Sequence, residues 1–172
     1  MCIRDRLYMN SLEEKLKKIH VLCIQHKLSV ATAESCTGGY ISKLITDQSH
    51  SSQYYKGSII AYSNEVKSDI LKVSPELIST NGAVSKDTSI AMARGLLKMM
   101  HTDIALSVTG IMEKNDEYSA KDCQVYITIM SLSNELTSYF KLDGSRKDNR
   151  LSTVNLAFSC LSDFINKHYL LS

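Results

Sequence analysis

The sequence predicts an α/β fold, a three-layer α/β/α sandwich built on a mixed, mostly parallel sheet of five strands. In the first half of the chain, segments with helical spacing alternate with short apolar runs, which is typical of parallel strands joined by helices. The middle of residues 103–109 is nearly all apolar, as in a strand covered on both faces. Later, residues 131–134 form a link too short for a crossover, which predicts an antiparallel hairpin.

Local signals place the elements of the first half. Ser11, with a glutamate three residues later, matches a capping box, and apolar residues recur at helical spacing to about Gln25. Ser63 and Ser85 can each cap a helix, and Pro75 suits the first turn of another. The predicted helices cover residues 11–25, 37–46, 64–72, 75–80 and 86–100, and the predicted strands lie within residues 28–33, 54–62 and 103–109.

The second half of the chain contains the predicted hairpin and one long helix. The hairpin strands cover residues 123–130 and 135–142. Apolar residues at helical spacing then predict a helix that begins at Asp143 or Ser145 and ends near His168.

The amino terminus matches no predicted element. Met9 is a more natural start than Met1, because a helix-opening Asn-Ser pair follows it. We therefore expect residues 1–8 to be a non-native or disordered leader and residues 9–172 to form a single domain.

Composition argues against several classes of function. The 172 residues include 20 basic and 18 acidic ones, and a net charge of +2 gives no electrostatic case for binding nucleic acid or a membrane surface. The five cysteines include no CxxC pair and the five histidines show no HExxH spacing, so no metal site is predicted. Scattered cysteines of this kind indicate reduced thiols and the cytoplasm.

The predicted site is a crevice at the carboxyl ends of the parallel strands. The first strand leads into residues 34–39, the second into residues 62–64, and the third into residues 109–110. Lys67 lies one helical turn beyond Ser63 and could reach the same crevice. Together these segments offer a carboxylate, several hydroxyls, a thiol and an amine.

The residues alone leave the chemistry of this crevice open. Ser35 is a candidate nucleophile, because the amides of Gly38 and Gly39 could stabilise an oxyanion beside it; the commoner alternative is a helix cap. Cys36 is either a rival nucleophile or a small buried side chain. Lys67 is either a base whose pKa is lowered by burial or, more commonly, a solvated lysine.

Four further side chains have both a functional and a structural interpretation. Glu34 could orient a ribose or a lysine, or pair with a surface cation. Tyr62 could act near the reacting group, although a tyrosine at a strand end more often serves packing. Arg146 and Arg150 could hold a phosphate, or simply contribute surface charge.

Several spaced motifs, in the same order, resemble the CinA C-terminal domain family of nicotinamide-nucleotide amidohydrolases. They are TAESCTGG at 32–39, AYSNEVK at 61–67, NGAVS at 81–85, SVTGI at 107–111 and GSR at 144–146. The resemblance extends from about Ser11 into the last helix. It implies a three-layer sandwich with a mixed five-stranded sheet, which is often dimeric.

The resemblance also implies a reaction. Members of this family hydrolyse the amide of nicotinamide mononucleotide to give nicotinic acid mononucleotide and ammonia, without a metal or another cofactor. Carried onto this chain, Ser35 is the nucleophile, Lys67 the general base, and Tyr62 assists near the amide. Ser52 matches another family serine near the substrate, so it stays an alternative nucleophile. The implied substrate-binding residues are Glu34, Thr37, Gly38, Gly39, Ser52, Asn64, Thr109, Gly110 and Arg146, and the implied partners are a small nucleotide and a second copy of the chain.

One loop departs from the family pattern. After Ile111 the family has a loop rich in glycine and proline, but residues 112–124 contain neither and carry several carboxylates. Carboxylates there would repel a phosphate. The alternative function is therefore a CinA-type nucleotide-binding or regulatory module with impaired catalysis.

Overall fold

The computed structural model describes residues 3–114 and 122–170, which form a five-stranded sheet between two layers of helices. The described helices are α1 (Ile3–Gln25), α2 (Tyr40–Thr46), α3 (Asn64–Asp69), α4 (Pro75–Asn81), α5 (Lys86–Met100) and α6 (Arg146–Tyr169). The strands are β1 (Val30–Glu34), β2 (Tyr55–Ile60), β3 (Ile104–Ile111), β4 (Cys123–Met130) and β5 (Glu135–Leu142). A short 3-10 helix covers Ser51–Gln53.

The strand order is β2-β1-β3-β4-β5. β1 pairs in parallel with both β2 and β3, whereas β4 is antiparallel to both β3 and β5. Four strands therefore run in one direction and β4 runs in the other. This topology confirms the predicted mixed, mostly parallel α/β/α sandwich and its hairpin.

The two faces of the sheet are covered by different helices. On one face, Val30, Ile104 and Leu106 belong to a large apolar core that also contains side chains of α1, α2 and α6. On the other face, strand alanines such as Ala31 and Ala105 pack with the apolar side of α5. Because these alanines are small, α5 can lie close to the sheet.

A glycine in α5 allows a second close approach. A Cβ atom on Gly95 would lie 1.8 Å from the carbonyl oxygen of Leu71 and 2.8 Å from its carbonyl carbon. Both atoms are backbone, so no side-chain rotation can relieve the overlap. The segment after α3 is thus packed directly against α5.

Gly95→Ala should therefore destabilise the protein, although alanine normally favours a helix interior. We expect a loss of about 2–3 kcal/mol, the upper range for overpacking. Urea denaturation of Gly95→Ala beside Arg94→Ala, an exposed position on the same helix, tests this. Equal or greater stability of Gly95→Ala would show that the two segments can separate without cost.

Most element boundaries agree with those predicted from the sequence. The largest difference is at the start of α1. α1 begins at Ile3, not at Ser11, so Ser11 lies inside the helix and the predicted capping box is wrong. Residues 3–10 contain neither proline nor glycine, so nothing in them ends a helix. Residues 1 and 2 lie outside the described part, and the non-native origin of residues 1–8 stays a prediction.

Turns shorten two predicted helices. α2 begins at Tyr40, not at Thr37, because Gly38 and Gly39 adopt left-handed φ values of 60° and 90°. α3 ends at Asp69, three residues before Lys72, which itself has a φ of 58°. In addition, β1 covers residues 30–34 where 28–33 was predicted.

The predicted N-caps are confirmed where the structure forms these helices. The hydroxyls of Ser63 and Ser85 accept hydrogen bonds from amides near the starts of α3 and α5. Ser145, one of the two predicted starts of the last helix, caps α6 in the same way.

Candidate active site

Glu34, the last residue of β1, has a fully buried carboxylate that is surrounded by hydrogen-bond donors. It accepts bonds from the Thr37 hydroxyl at 2.7 Å and from the amides of Gly39, Ile41 and Ser42 at 3.0, 3.1 and 2.8 Å. These amides open α2 and would otherwise lack partners. Glu34 therefore caps α2, a role that neither sequence interpretation of this residue included.

Replacing Glu34 by glutamine should destabilise the fold, because the new NH2 group would face amide donors. We expect a loss of about 2 kcal/mol, typical of buried polar groups left without a partner. The free energy of unfolding in urea measures it, with the exposed Glu13→Gln as the matched control. A loss no larger than that of the control would contradict this role.

The two glycines shape the turn after Ser35, but their amides are already occupied. The amide of Gly38 donates to the carbonyl oxygen of Ser35 at 3.2 Å, and the amide of Gly39 donates to Glu34. The prediction that these two amides stabilise an oxyanion is therefore corrected. The glycines supply instead the left-handed backbone that brings the chain from β1 into α2.

Lys67 lies in α3 and is only 2 % exposed, so it is not a solvated helix lysine. Its Nζ is 3.2 Å from the Oγ of Ser35, 3.0 Å from the carbonyl oxygen of Ala61 and 3.4 Å from that of Tyr62. The amine is thus held by the segment between β2 and α3 and faces the turn after β1.

Parallel pairing of β1 and β2 brings these groups together. Glu34 is in register with Ile60, the last residue of β2, and the Ala61 amide donates to the Glu34 carbonyl oxygen at 2.8 Å. The chain therefore leaves both strands at the same edge of the sheet, and Lys67 reaches Ser35 across it. This is the crevice that the strand ends predicted.

Burial determines the charge properties of the site. In the described residues, no carboxylate lies within 4.0 Å of Lys67, since the ion pairs found there join Lys43 to Asp47 and Lys141 to Asp122. Desolvation therefore lowers the pKa of Lys67 below its usual value. Burial also raises the pKa of the Cys36 thiol to about 12, so this rival nucleophile stays protonated at neutral pH.

Ser35 and Lys67 lie in a cleft of about 450 Å³. Seven of the predicted site residues line it: Ser35, Tyr62, Asn64, Lys67, Thr109, Gly110 and Arg146. Cys36, the rival nucleophile, lines it as well. Six other residues line the cleft that were not predicted as site residues: Ala83, Val84, Ile111, Met112, Glu113 and Lys114.

The other predicted site residues do not line this cleft. Glu34, Thr37, Gly38 and Gly39 build the turn behind Ser35, and Ser52 is exposed in the 3-10 helix. The motif at residues 81–85 could have indicated that Ala83 and Val84 lie at the cleft.

The mouth of the cleft joins segments that are distant in sequence. Tyr62 is 63 % exposed, and its hydroxyl accepts a hydrogen bond from Arg146 Nη2 at 3.0 Å. On another wall, the Thr109 hydroxyl donates to the Ala83 carbonyl oxygen at 2.8 Å. Arg150 has a different role, since its Nη2 donates to the carbonyl oxygen of Thr37 at 2.7 Å and so braces the turn after Ser35.

The loop that departs from the family pattern is described at both ends, while residues 115–121 lie outside the described part. Glu113 and Lys114 from its first end line the cleft. Within residues 3–114 and 122–170, no group of three or more His, Cys, Asp or Glu side chains is arranged to hold a metal ion. No helix described there is long and apolar enough to cross a membrane.

Comparison with known proteins identifies the family. A family model of the CinA C-terminal domain matches residues 12–165 of the chain. The chain belongs to the CinA C-terminal domain family. A CinA-like protein of Endomicrobium trichonymphae is 43 % identical over 150 residues, which is 86 % of this chain and 35 % of that protein. The chain spans 35 to 37 % of the length of this relative and of two further curated relatives that it matches.

Solved structures show the same CinA fold. Competence/damage inducible protein CihA from Agrobacterium tumefaciens superposes with a TM-score of 0.83 at 32 % identity, covering 91 % of this chain and 96 % of that one. Competence damage-inducible protein A (ComA) from Klebsiella pneumoniae subsp. pneumoniae MGH 78578 gives a TM-score of 0.87 at 24 % identity, with 92 % and 98 % covered. The second similarity shows the fold alone.

Proposed function

We propose that this CinA domain is an amidohydrolase that converts nicotinamide mononucleotide and water into nicotinic acid mononucleotide and ammonia. The observation that carries the proposal is the buried amine of Lys67, 3.2 Å from the Ser35 hydroxyl. A serine needs a base to become a nucleophile, and a desolvated lysine can serve as one. The resemblance of the surrounding motifs to the family supplies the substrate.

The surroundings of Lys67 suit the neutral amine. A neutral amine keeps two N–H bonds and one lone pair. The carbonyl oxygens of Ala61 and Tyr62 can accept those two N–H bonds, since carbonyls only accept. The remaining neighbour is the Ser35 hydroxyl, which can donate its proton to the lone pair.

The reaction then proceeds in two halves. Ser35 Oγ attacks the amide carbon while its proton passes to Lys67, and the proton moves on to the leaving nitrogen as the C–N bond breaks. Ammonia departs and an ester on Ser35 remains. Water attacks this ester and gives its proton to Lys67, which returns it to Ser35 Oγ as the acid is released.

Two cationic side chains that line the cleft can bind the phosphate of the substrate. Arg146 begins α6, where the helix dipole also favours an anion, and Lys114 lines the same cleft. Tyr62 keeps Arg146 in place through the hydrogen bond between them. From the resemblance we further expect a homodimer that uses no metal or other cofactor, and from the scattered cysteines a location in the cytoplasm.

Ammonia release from nicotinamide mononucleotide, with chromatographic detection of nicotinic acid mononucleotide, tests the proposal. We expect both products in equal amounts, and less from free nicotinamide, which lacks the phosphate. No release above a blank without protein would overturn the proposed activity.

One observation favours a second function. Glu113, from the loop that departs from the family pattern, lines the cleft beside Arg146, and this altered lining favours a module in which catalysis is impaired. A nucleotide-binding or regulatory module would then raise its melting temperature with nucleotide, by mass action, while forming no product. Turnover without any thermal shift would exclude this alternative.

A further inference from the structure

The side chain of Asn149, near the start of α6, joins two segments that line the cleft. It is 2 % exposed. Its Nδ2 donates to the carbonyl oxygens of Met112 and Gly144, both at 2.9 Å, and its Oδ1 accepts from the Gly144 amide at 2.9 Å. Both N–H bonds of the amide group are therefore used, so the orientation of the side chain is fixed.

Each of the two segments brings a charged group to the cleft. Residues 112–114 end with Glu113 and Lys114, and residues 144–146 end with Arg146. We call these two segments together the binding rim. In the described residues, Asn149 is the side chain whose hydrogen bonds reach the backbone of both halves.

Neighbouring contacts make the connection rigid. Thr153, one helical turn beyond Asn149, donates to the sulfur of Met112 at 3.7 Å. On the other half of the rim, a Cβ atom on Gly144 would lie 3.1 Å from Asn149 Oδ1 and 2.9 Å from the Asp148 Cβ. The backbone of both halves therefore lies against the first turns of α6.

We propose that Asn149 is a positioning residue, which sets substrate affinity by holding the two halves of the binding rim at a fixed separation. This role for Asn149 rests on the proposed function, because the bound group is taken to be the phosphate of a nucleotide. Asn149 does not line the cleft itself. Its loss should weaken ground-state binding and leave the Ser35–Lys67 pair unchanged.

The test compares Asn149→Leu, which keeps the branched shape of the side chain without its polar atoms, and Asn149→Ala, which leaves space, with the wild-type protein. For nicotinamide mononucleotide we expect KM to rise roughly tenfold, since buried polar groups lose their partners, while kcat changes less than about twofold. A purely structural role would instead lower kcat with the folded fraction and leave KM unchanged, and that result would overturn the proposal. Asn155→Ala is the matched control, because Asn155 lies on the same helix and bonds to Lys15 of α1.

Hydrogen exchange provides a second readout that needs no turnover. In both Asn149 variants, peptides covering 110–114 and 143–147 should exchange faster than in the wild type and in Asn155→Ala. If the wild-type protein releases no ammonia, only the proposed activity is overturned. The hydrogen-exchange rates of the two peptides then still test the role of Asn149. Unchanged exchange in both peptides would overturn the proposal.

Discussion

Ser35→Ala should reduce ammonia release from nicotinamide mononucleotide by at least about 100-fold, as expected for a member of a catalytic unit. Without Oγ no ester can form, while the turn keeps its backbone bonds, which involve the amide and carbonyl of Ser35. The steady-state rate, measured beside the melting temperature, separates lost chemistry from lost folding. An unchanged rate would remove Ser35 from the mechanism.

Ser52→Ala is the matched control for the nucleophile. Ser52 is the alternative that the family resemblance left open, yet it is exposed and does not line the cleft. We expect the rate of ammonia release by Ser52→Ala to stay within about twofold of wild type, because the substitution is exposed and lies outside the cleft. Loss of activity in Ser52→Ala, with activity retained in Ser35→Ala, would show that Ser52 is the nucleophile and Ser35 is not.

Lys67→Met should cause a loss of similar size, at least about 100-fold in kcat, because serine and base act as one unit. Methionine fills much of the same space without an amine, so the protein should remain folded. Lys98→Met, an exposed lysine of α5, is the matched control. Activity within about twofold of wild type in Lys67→Met would show that another group activates the serine.

The lowered pKa of Lys67 sets the direction of two pH dependences. The base works as the neutral amine, so the wild-type rate should rise with pH through a pKa below 10.5. The unfolded lysine binds its proton more tightly than the folded one, so stability should also rise with pH between the lowered pKa and 10.5. Lys67→Met should lack this rise in stability, and a rise of equal size in the variant would contradict a buried, depressed lysine.

Local patterns predicted most of the fold. α5 and the hairpin strands lie where periodicity put them, and Ser63, Ser85 and Ser145 cap the helices, because capping and periodicity involve residues close in sequence. The start of α1 was wrong because a serine that can cap a helix can also lie inside one. The start of α2 was placed three residues too early because the conformation of Gly38 and Gly39 cannot be read from the sequence, since glycine permits many backbone conformations.

The site was predicted in part. The strand-end rule located the cleft, since parallel strands bring their carboxyl ends to one edge. It could not separate residues that face the cleft from those that build its wall, so Glu34 was assigned to the substrate although its carboxylate caps α2. Asn149 was not singled out, because its partners Met112 and Gly144 meet it only after folding.

The sequence by itself determined the order and type of the elements, most of the caps and the family, because these depend on short-range patterns and on motif order. Only the tertiary structure decided the state of Lys67. An isolated lysine on a short helix is expected in water, yet this lysine is buried. The parallel pairing of β1 with β2 brings its amine to Ser35, thirty-two positions away. Burial and hydrogen bonds over such a separation depend on how neighbouring strands pair, and no local pattern contains that information.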